Sequence, residues 1–152
     1  MFRAISRATG GAIALFAAIS LAHGWSLVTQ AEQMRDNAAP RAGQSTTPAV
    51  SGAPVITVRQ PDISRPGRNP MTFDVQFTAA PGAAINPSTF QARYGWLGIN
   101  ITNRLLAHAN WTASGLFAAN VNVPTGNHRI SISIADTLGR VGTRVVDLQV
   151  LR

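Results

Sequence analysis

Apolar and polar residues alternate with a period of two in several separate stretches of the chain. The clearest lies near the end, where His128, Ile130, Ile132 and Ile134 share one phase and Arg129, Ser131 and Ser133 the other. Pro124-Thr125-Gly126-Asn127 is a turn signal ahead of this run, and Asp136-Thr137-Leu138-Gly139 breaks it before a second apolar run begins at Val141. Alternation of this kind gives a strand one dry face and one wet face, and two such runs around a short polar break predict a β-hairpin. The second arm changes phase. Val141 and Val145 fall in one register and Val146, Leu148 and Val150 in the other. A bulge near Val145-Val146, or a strand passing from a sheet edge into its main run, is expected there.

Earlier stretches repeat the pattern. Val55 to Val58 predicts a first strand, ended by Pro61. Met71, Phe73, Val75 and Phe77 alternate with Thr72, Asp74 and Gln76. Four large groups on one face need an opposing layer, and no long helical pattern lies nearby, so a second sheet is the expected partner. Ala79 to Ser88 reads as a loop, Phe90 to Tyr94 as a strand, and Ile99 to Thr102 as a short edge strand. Asn103 to Ala109 predicts one or two helical turns. Trp111 to Gly115 reads as a turn, and Phe117, Ala119, Val121 and Val123 as another strand. Six or seven short strands, with turns about every eight to twelve residues, predict an all-β sandwich or small barrel over residues 54–151. Its expected core is Phe73, Val75, Phe77, Val121, Ile130, Ile132, Ile134 and Leu148.

The first 53 residues follow a different pattern. Arg3 and Arg7 precede an apolar run from Ala12 to Ala22, and Ala22-His23-Gly24 places small residues at the −3 and −1 positions of a cleavage site. This predicts a secretory signal peptide over residues 1–24. A second possible cut follows Thr29-Gln30-Ala31. The rival reading is an uncleaved anchor over about residues 10–28, because apolar character resumes at Trp25, Leu27 and Val28. Residues 25–53 collect Pro, Gly, Ser, Thr and Gln, and are expected to be a disordered linker. The chain is therefore expected to be exported to the periplasm or cell exterior, or else anchored in the inner membrane with the domain outside the cytoplasm. In the anchored case the N-terminal segment is its membrane contact.

Composition narrows the chemistry. All 13 basic residues are arginine, against six acidic ones. Without residues 1–24, eleven Arg face those six acids, a net charge of +5. Arg59, Arg65 and Arg68 lie close together without interleaved aromatic residues, so nucleic acid is not an expected partner. Cysteine is absent, which removes disulfides, thiolate nucleophiles and Cys-based metal sites.

The run from Val123 to Arg140 resembles the C-terminal signature of bacterial immunoglobulin-like domains. It combines a Pro-x-Gly-x-His turn into a strand with an Asp-x-x-Gly-Arg turn before the last strand. The likeness extends over about residues 54–150 and is strongest over 121–150. It implies an immunoglobulin-like Greek-key β-sandwich of about seven short strands. It also implies structural roles for Gly126 in the turn, Asp136 as a cap of the hairpin loop, and Gly139 at positive φ. Members of such families serve as adhesin repeats, spacers and modules beside envelope enzymes, so the resemblance leaves function open.

Candidate chemistry is sparse. His108 and His128 lack a nearby carboxylate cluster, which makes them poor zinc ligands. Ser114 lacks the G-x-S-x-G context of a nucleophile elbow. Asp62 and Asp136 lie in loops where calcium ligands gather, but no DxDxDG loop exists. No catalytic residue, cofactor site or metal site is therefore expected. The expected interaction surface is Tyr94, Trp96 and Trp111, three bulky rings near polar turns. The leading functional expectation is a non-catalytic protein-interaction or spacer domain of the bacterial cell envelope. A carbohydrate-binding accessory module using exposed Trp and Tyr, and a small envelope hydrolase, are the alternatives. The partner would be an envelope protein or a polysaccharide.

Overall fold

The computed structural model describes residues 24–41 and 50–152. The elements, in chain order, are β1 (Trp25–Ser26), α1 (Gln30–Ala38), β2 (Val55–Gln60), β3 (Gly67–Arg68), β4 (Met71–Thr78) and β5 (Ile85–Tyr94). They continue with β6 (Ile99–Asn100), α2 (Thr102–Leu106), β7 (Ala109–Trp111), β8 (Gly115–Asn122), β9 (Gly126–Asp136) and β10 (Val141–Leu151). One sheet has the order β1-β8-β4-β2, with β7 also paired to β8; the other runs β3-β10-β9-β5-β6. Each sheet is antiparallel except for one two-residue parallel pair, β1 on β8 and β3 on β10. The protein is an all-β sandwich of two mixed sheets. Ten strands are described where about seven were expected; the additional ones are two- or three-residue segments that cover sheet edges.

The inward phases of the long strands meet between the sheets. Every residue of the expected core is buried. On β4 the alternation is complete, with Met71, Phe73, Val75 and Phe77 buried and Thr72, Asp74 and Gln76 half-buried on the outer face. An apolar cavity of about 10 Å³ lies in the interior among Leu27, Phe73, Ile132 and their neighbours. That is about one water-sized sphere, so the side chains around it are closely packed.

Residues 25–38 were expected to be linker and are instead part of the folded unit. Trp25 and Ser26 pair with Val121 and Asn122. Leu27 and Val28, each 1% exposed, fill the core at the end of the sandwich. Thr29 caps α1: its hydroxyl accepts from the Glu32 amide at 3.2 Å, and the Glu32 carboxylate accepts from the Thr29 amide at 2.8 Å. This is a capping box, Thr-x-x-Glu, written openly in the sequence. Arg104 of α2 then holds Glu32 with two bonds of 2.8 Å and donates a third, also 2.8 Å, to the Leu27 carbonyl. The arginine keeps the Glu32 carboxyl well below its ordinary range, at about 2. Burial of two aliphatic side chains outweighs the weak ordering tendency of the polar residues around them. The expected signal peptide lies outside the described residues except for Gly24, and residues 42–49 of the expected linker also lie outside them.

The phase change on β10 has another cause than a bulge. β9 and β10 pair without interruption from Val141 opposite Ala135 to Val150 opposite Gly126. Gly142, Val146, Leu148 and Val150 occupy the inward phase and are buried; Arg144 occupies the same phase opposite Ile132 and is exposed. Val141 and Val145 therefore point outward, 52% and 38% exposed. An apolar phase interrupted by an arginine looks, in sequence, like a slip. Irregular pairing occurs elsewhere, between Val58 and Gln60, Met71 and Phe73, and Asn86 and Gln91. β5 also begins at Ile85, inside the stretch expected as loop, because Asn86 still finds Ala135 across the sheet.

The hairpin turn is built as its residues imply. The buried Asp136 carboxylate accepts from the amides of Leu138 and Arg140, each at 2.9 Å, and from Arg140 Nε at 2.7 Å. Burial pushes its carboxyl up, but these donors outweigh that and hold it below the usual range. Gly139 takes φ 76° between them.

Candidate binding groove

Strand ends and α1 together form a groove at one end of the sandwich. The turn from Gly95 to Gly98 carries Trp96 between β5 and β6. Asp36 of α1 fixes that turn: its carboxylate accepts from the Leu97 amide at 2.9 Å and fills the space where a side chain on residue 95 would project. A glycine with φ 69° is required at that close approach. The Gly95 amide also donates to the Arg129 carbonyl at 2.8 Å, tying the turn to β9. On the other side, Gln33 of α1 donates to the Thr125 carbonyl at 3.0 Å. The helix thus bridges the two turns that border the groove.

Trp96 is half-buried, and its ring faces charge. The Arg129 guanidinium lies 4.1 Å from the indole centroid, within cation–π range, and that of Arg41 lies 6.0 Å away. Asp147, opposite Arg129 in the hairpin register, holds the guanidinium with bonds of 2.7 and 2.9 Å. Hydrogen bonding to Arg129 keeps the Asp147 carboxyl below its usual range and raises the arginine in turn. Around this pair the groove encloses about 530 Å³, with Gln33, Asn37, Asn127 and Gln149 on its walls and Ile63 to Pro66 along one side.

His128, which lines the groove, belongs to a buried polar chain. The Tyr94 hydroxyl donates to His128 Nδ1 at 3.0 Å, and His128 Nε2–H donates to the Pro124 carbonyl at 2.6 Å. This is the neutral imidazole with its proton on Nε2. Burial pushes the histidine below its ordinary pKa, against the pull of the Pro124 carbonyl. Burial also raises the Tyr94 phenol to about 12, helped by the charges of Asp36 and Glu32. Both ring nitrogens of His128 are engaged, so it offers no free base to a bound molecule. The Pro-x-Gly-x-His pattern thereby gains a local reason: the histidine closes the turn that the proline opens.

The three rings expected to form one surface are not brought together. Tyr94 is 1% exposed and belongs to the core, so its place in an interaction surface is corrected. Its phenol is buried because it finds a partner in His128. Trp111, 40% exposed, packs against Phe77 and Phe90 at centroid distances of 5.8 and 5.7 Å and does not line the groove. Only Trp96 stands in a concave polar site. Sequence reading missed Asp36, Arg41, Arg129 and Asp147. The last two were findable: counting both arms outward from the Asp136 turn sets Arg129 opposite Asp147.

His108 is exposed and stacks on Trp25, with centroids 4.5 Å apart. Among the described residues no group of three or more His, Asp or Glu side chains converges on a metal position. Asp136 is taken up by its own turn, and Asp62 bonds to Ser64 and Arg65. No helix among the described residues is long and apolar enough to cross a membrane. No family model, curated protein or solved structure matches the chain.

Proposed function

We propose that this chain is a non-catalytic interaction domain of the bacterial cell envelope, built on an immunoglobulin-like Greek-key sandwich and binding through the Trp96 groove. The observation that carries the reading is the groove itself: a polar concavity around a pinned indole, with its histidine and carboxylates already engaged in structural bonds. A site of that kind recognises and does not activate. Strand order supports the fold assignment. β2, β4, β8 and β7 follow the A-B-E-D order of such domains, and β5, β9 and β10 the C-F-G order. A spacer role needs no groove, which favours interaction over it.

Export rests on the basic, apolar and small-residue pattern of residues 1–24. The core placement of Leu27 and Val28 weighs against the anchor reading. Side chains packed between two sheets are withdrawn from lipid, which leaves only residues 10–24 for the bilayer. Fifteen helical residues reach about 22 Å, short of a hydrocarbon core of about 30 Å.

Pull-down from envelope extract, comparing wild type with Trp96→Ala, tests the binding site. Retention of a partner by the wild type and its loss in the variant are expected. Equal retention by both moves the site elsewhere, and retention by neither leaves a spacer. A second reading, a carbohydrate-binding module, is favoured by the amide side chains around the single indole.

A further inference from the structure

The charges lining the groove do not cancel. Arg41, Arg65 and Arg129 line it against Asp36 and Asp147. Asp147 is spent on Arg129 through two short bonds, and Asp36 on the Leu97 amide. Arg65 has a contact of 3.5 Å to Asp62, but both side chains stand largely in water, where such a pair holds weakly. Two guanidiniums, those of Arg41 and Arg65, therefore border the cavity without a firmly bound carboxylate.

Taking the groove as the binding surface, we propose that its ligand is an acidic saccharide, whose carboxylate is held by Arg41 and Arg65. Guanidinium forks match carboxylates geometrically as well as electrically. The remaining walls carry the side-chain amides of Gln33, Asn37, Asn127 and Gln149, which can both donate to and accept from ring hydroxyls. A volume of about 530 Å³ suits a short stretch of such a chain. An acidic peptide is the rival ligand, because β3 covers β10 only at Val150 and Leu151 and leaves Asp147 to Gln149 as a strand edge beside the groove; the test separates the two. A neutral sugar would look for a bare aromatic face. Arg129 already stands over the Trp96 ring, which makes that surface cationic.

Calorimetric titration of the purified protein distinguishes these ligands. The probes are a galacturonate tetramer, a neutral galactose tetramer and tetraglutamate. Binding of the galacturonate tetramer alone is expected, weakening as salt rises and falling tenfold or more in the Arg41→Ala/Arg65→Ala double variant. Both substitutions are on the surface, and thermal unfolding of the variant checks that the fold is kept. Equal binding of the neutral tetramer overturns the carboxylate requirement. Equal binding of tetraglutamate overturns the saccharide. Unchanged galacturonate binding by the double variant overturns the assignment to these arginines. If no probe binds while envelope pull-down still depends on Trp96, the acidic-saccharide inference fails and the interaction reading stands.

Discussion

Tyr94 and His128 lie 34 positions apart and meet in the core, hydroxyl to Nδ1, at 3.0 Å. The contact fixes the tautomer of the histidine and, through Nε2, the turn at Pro124. A second proton on the ring would make Nδ1 a donor and force the phenol to turn round. The buried site disfavours that charge, which is the cause of the lowered pKa.

Stability should therefore depend on pH in a definite direction. The unfolded chain takes up a proton near the ordinary histidine pKa of about 6.5, while the folded chain takes it up at lower pH. The contribution of His128 is complete above the unfolded value and is lost as pH falls through the folded one. Urea unfolding of the wild type at pH 7.5 and pH 5 should show a loss of stability on acidification. His128→Gln should show a shallower loss. Equal slopes would remove His128 as the titrating group.

The N-terminal segment yields a second prediction. A chain beginning at Trp25 keeps β1, Leu27, Val28 and the Thr29 cap, and should unfold in one cooperative transition. A chain beginning at Glu32, the product of a cut after Ala31, loses all of them. Removing two buried aliphatic groups costs about 1.5–3 kcal/mol each, so the shorter chain should be less stable by roughly 3–6 kcal/mol. Denaturant midpoints of the two proteins measure the difference. Equal midpoints would mean that the segment contributes nothing to the core.

Arg144 yields a third. β3 covers only Val150 and Leu151 of β10, so residues 141–149 form an edge of their sheet. A charged residue in the inward phase of an edge strand discourages pairing with another chain. Arg144→Val restores an unbroken apolar phase from Gly142 to Val150. The variant should fold and should self-associate at concentrations where the wild type does not. Sedimentation velocity over a concentration series checks this. An unchanged monomer–oligomer distribution would show that Arg144 does not guard the edge.

The sandwich was legible because alternation is local: on β4 and β9 each residue declares its face by its neighbours. β10 was harder, since one arginine in the inward phase mimics a change of register. The N-terminal segment was misread on composition. Prolines and glycines after Ala39 colour the whole stretch, and Leu27 and Val28 extend the apolar run before them. The Thr29–Glu32 capping box was the contrary sign. The groove was the least legible part. Asp36, Trp96 and Arg129 come from a helix, a turn and a strand, and no local pattern announces that they converge.

The pairing of Trp25 with Val121 also sets an order of events. In an exported chain the N-terminal segment crosses first, and its partner strand follows about 96 residues later. Until Asn122 has emerged, Leu27 and Val28 have no place to go, and contacts this distant in sequence form slowly. Once they dock, the residue-24 backbone lies so close to the Asn120 carbonyl and the Asn122 side chain that only glycine fits there. A protease acting after Gly24 thus has its substrate in extended, accessible form only during passage, and docking closes that interval.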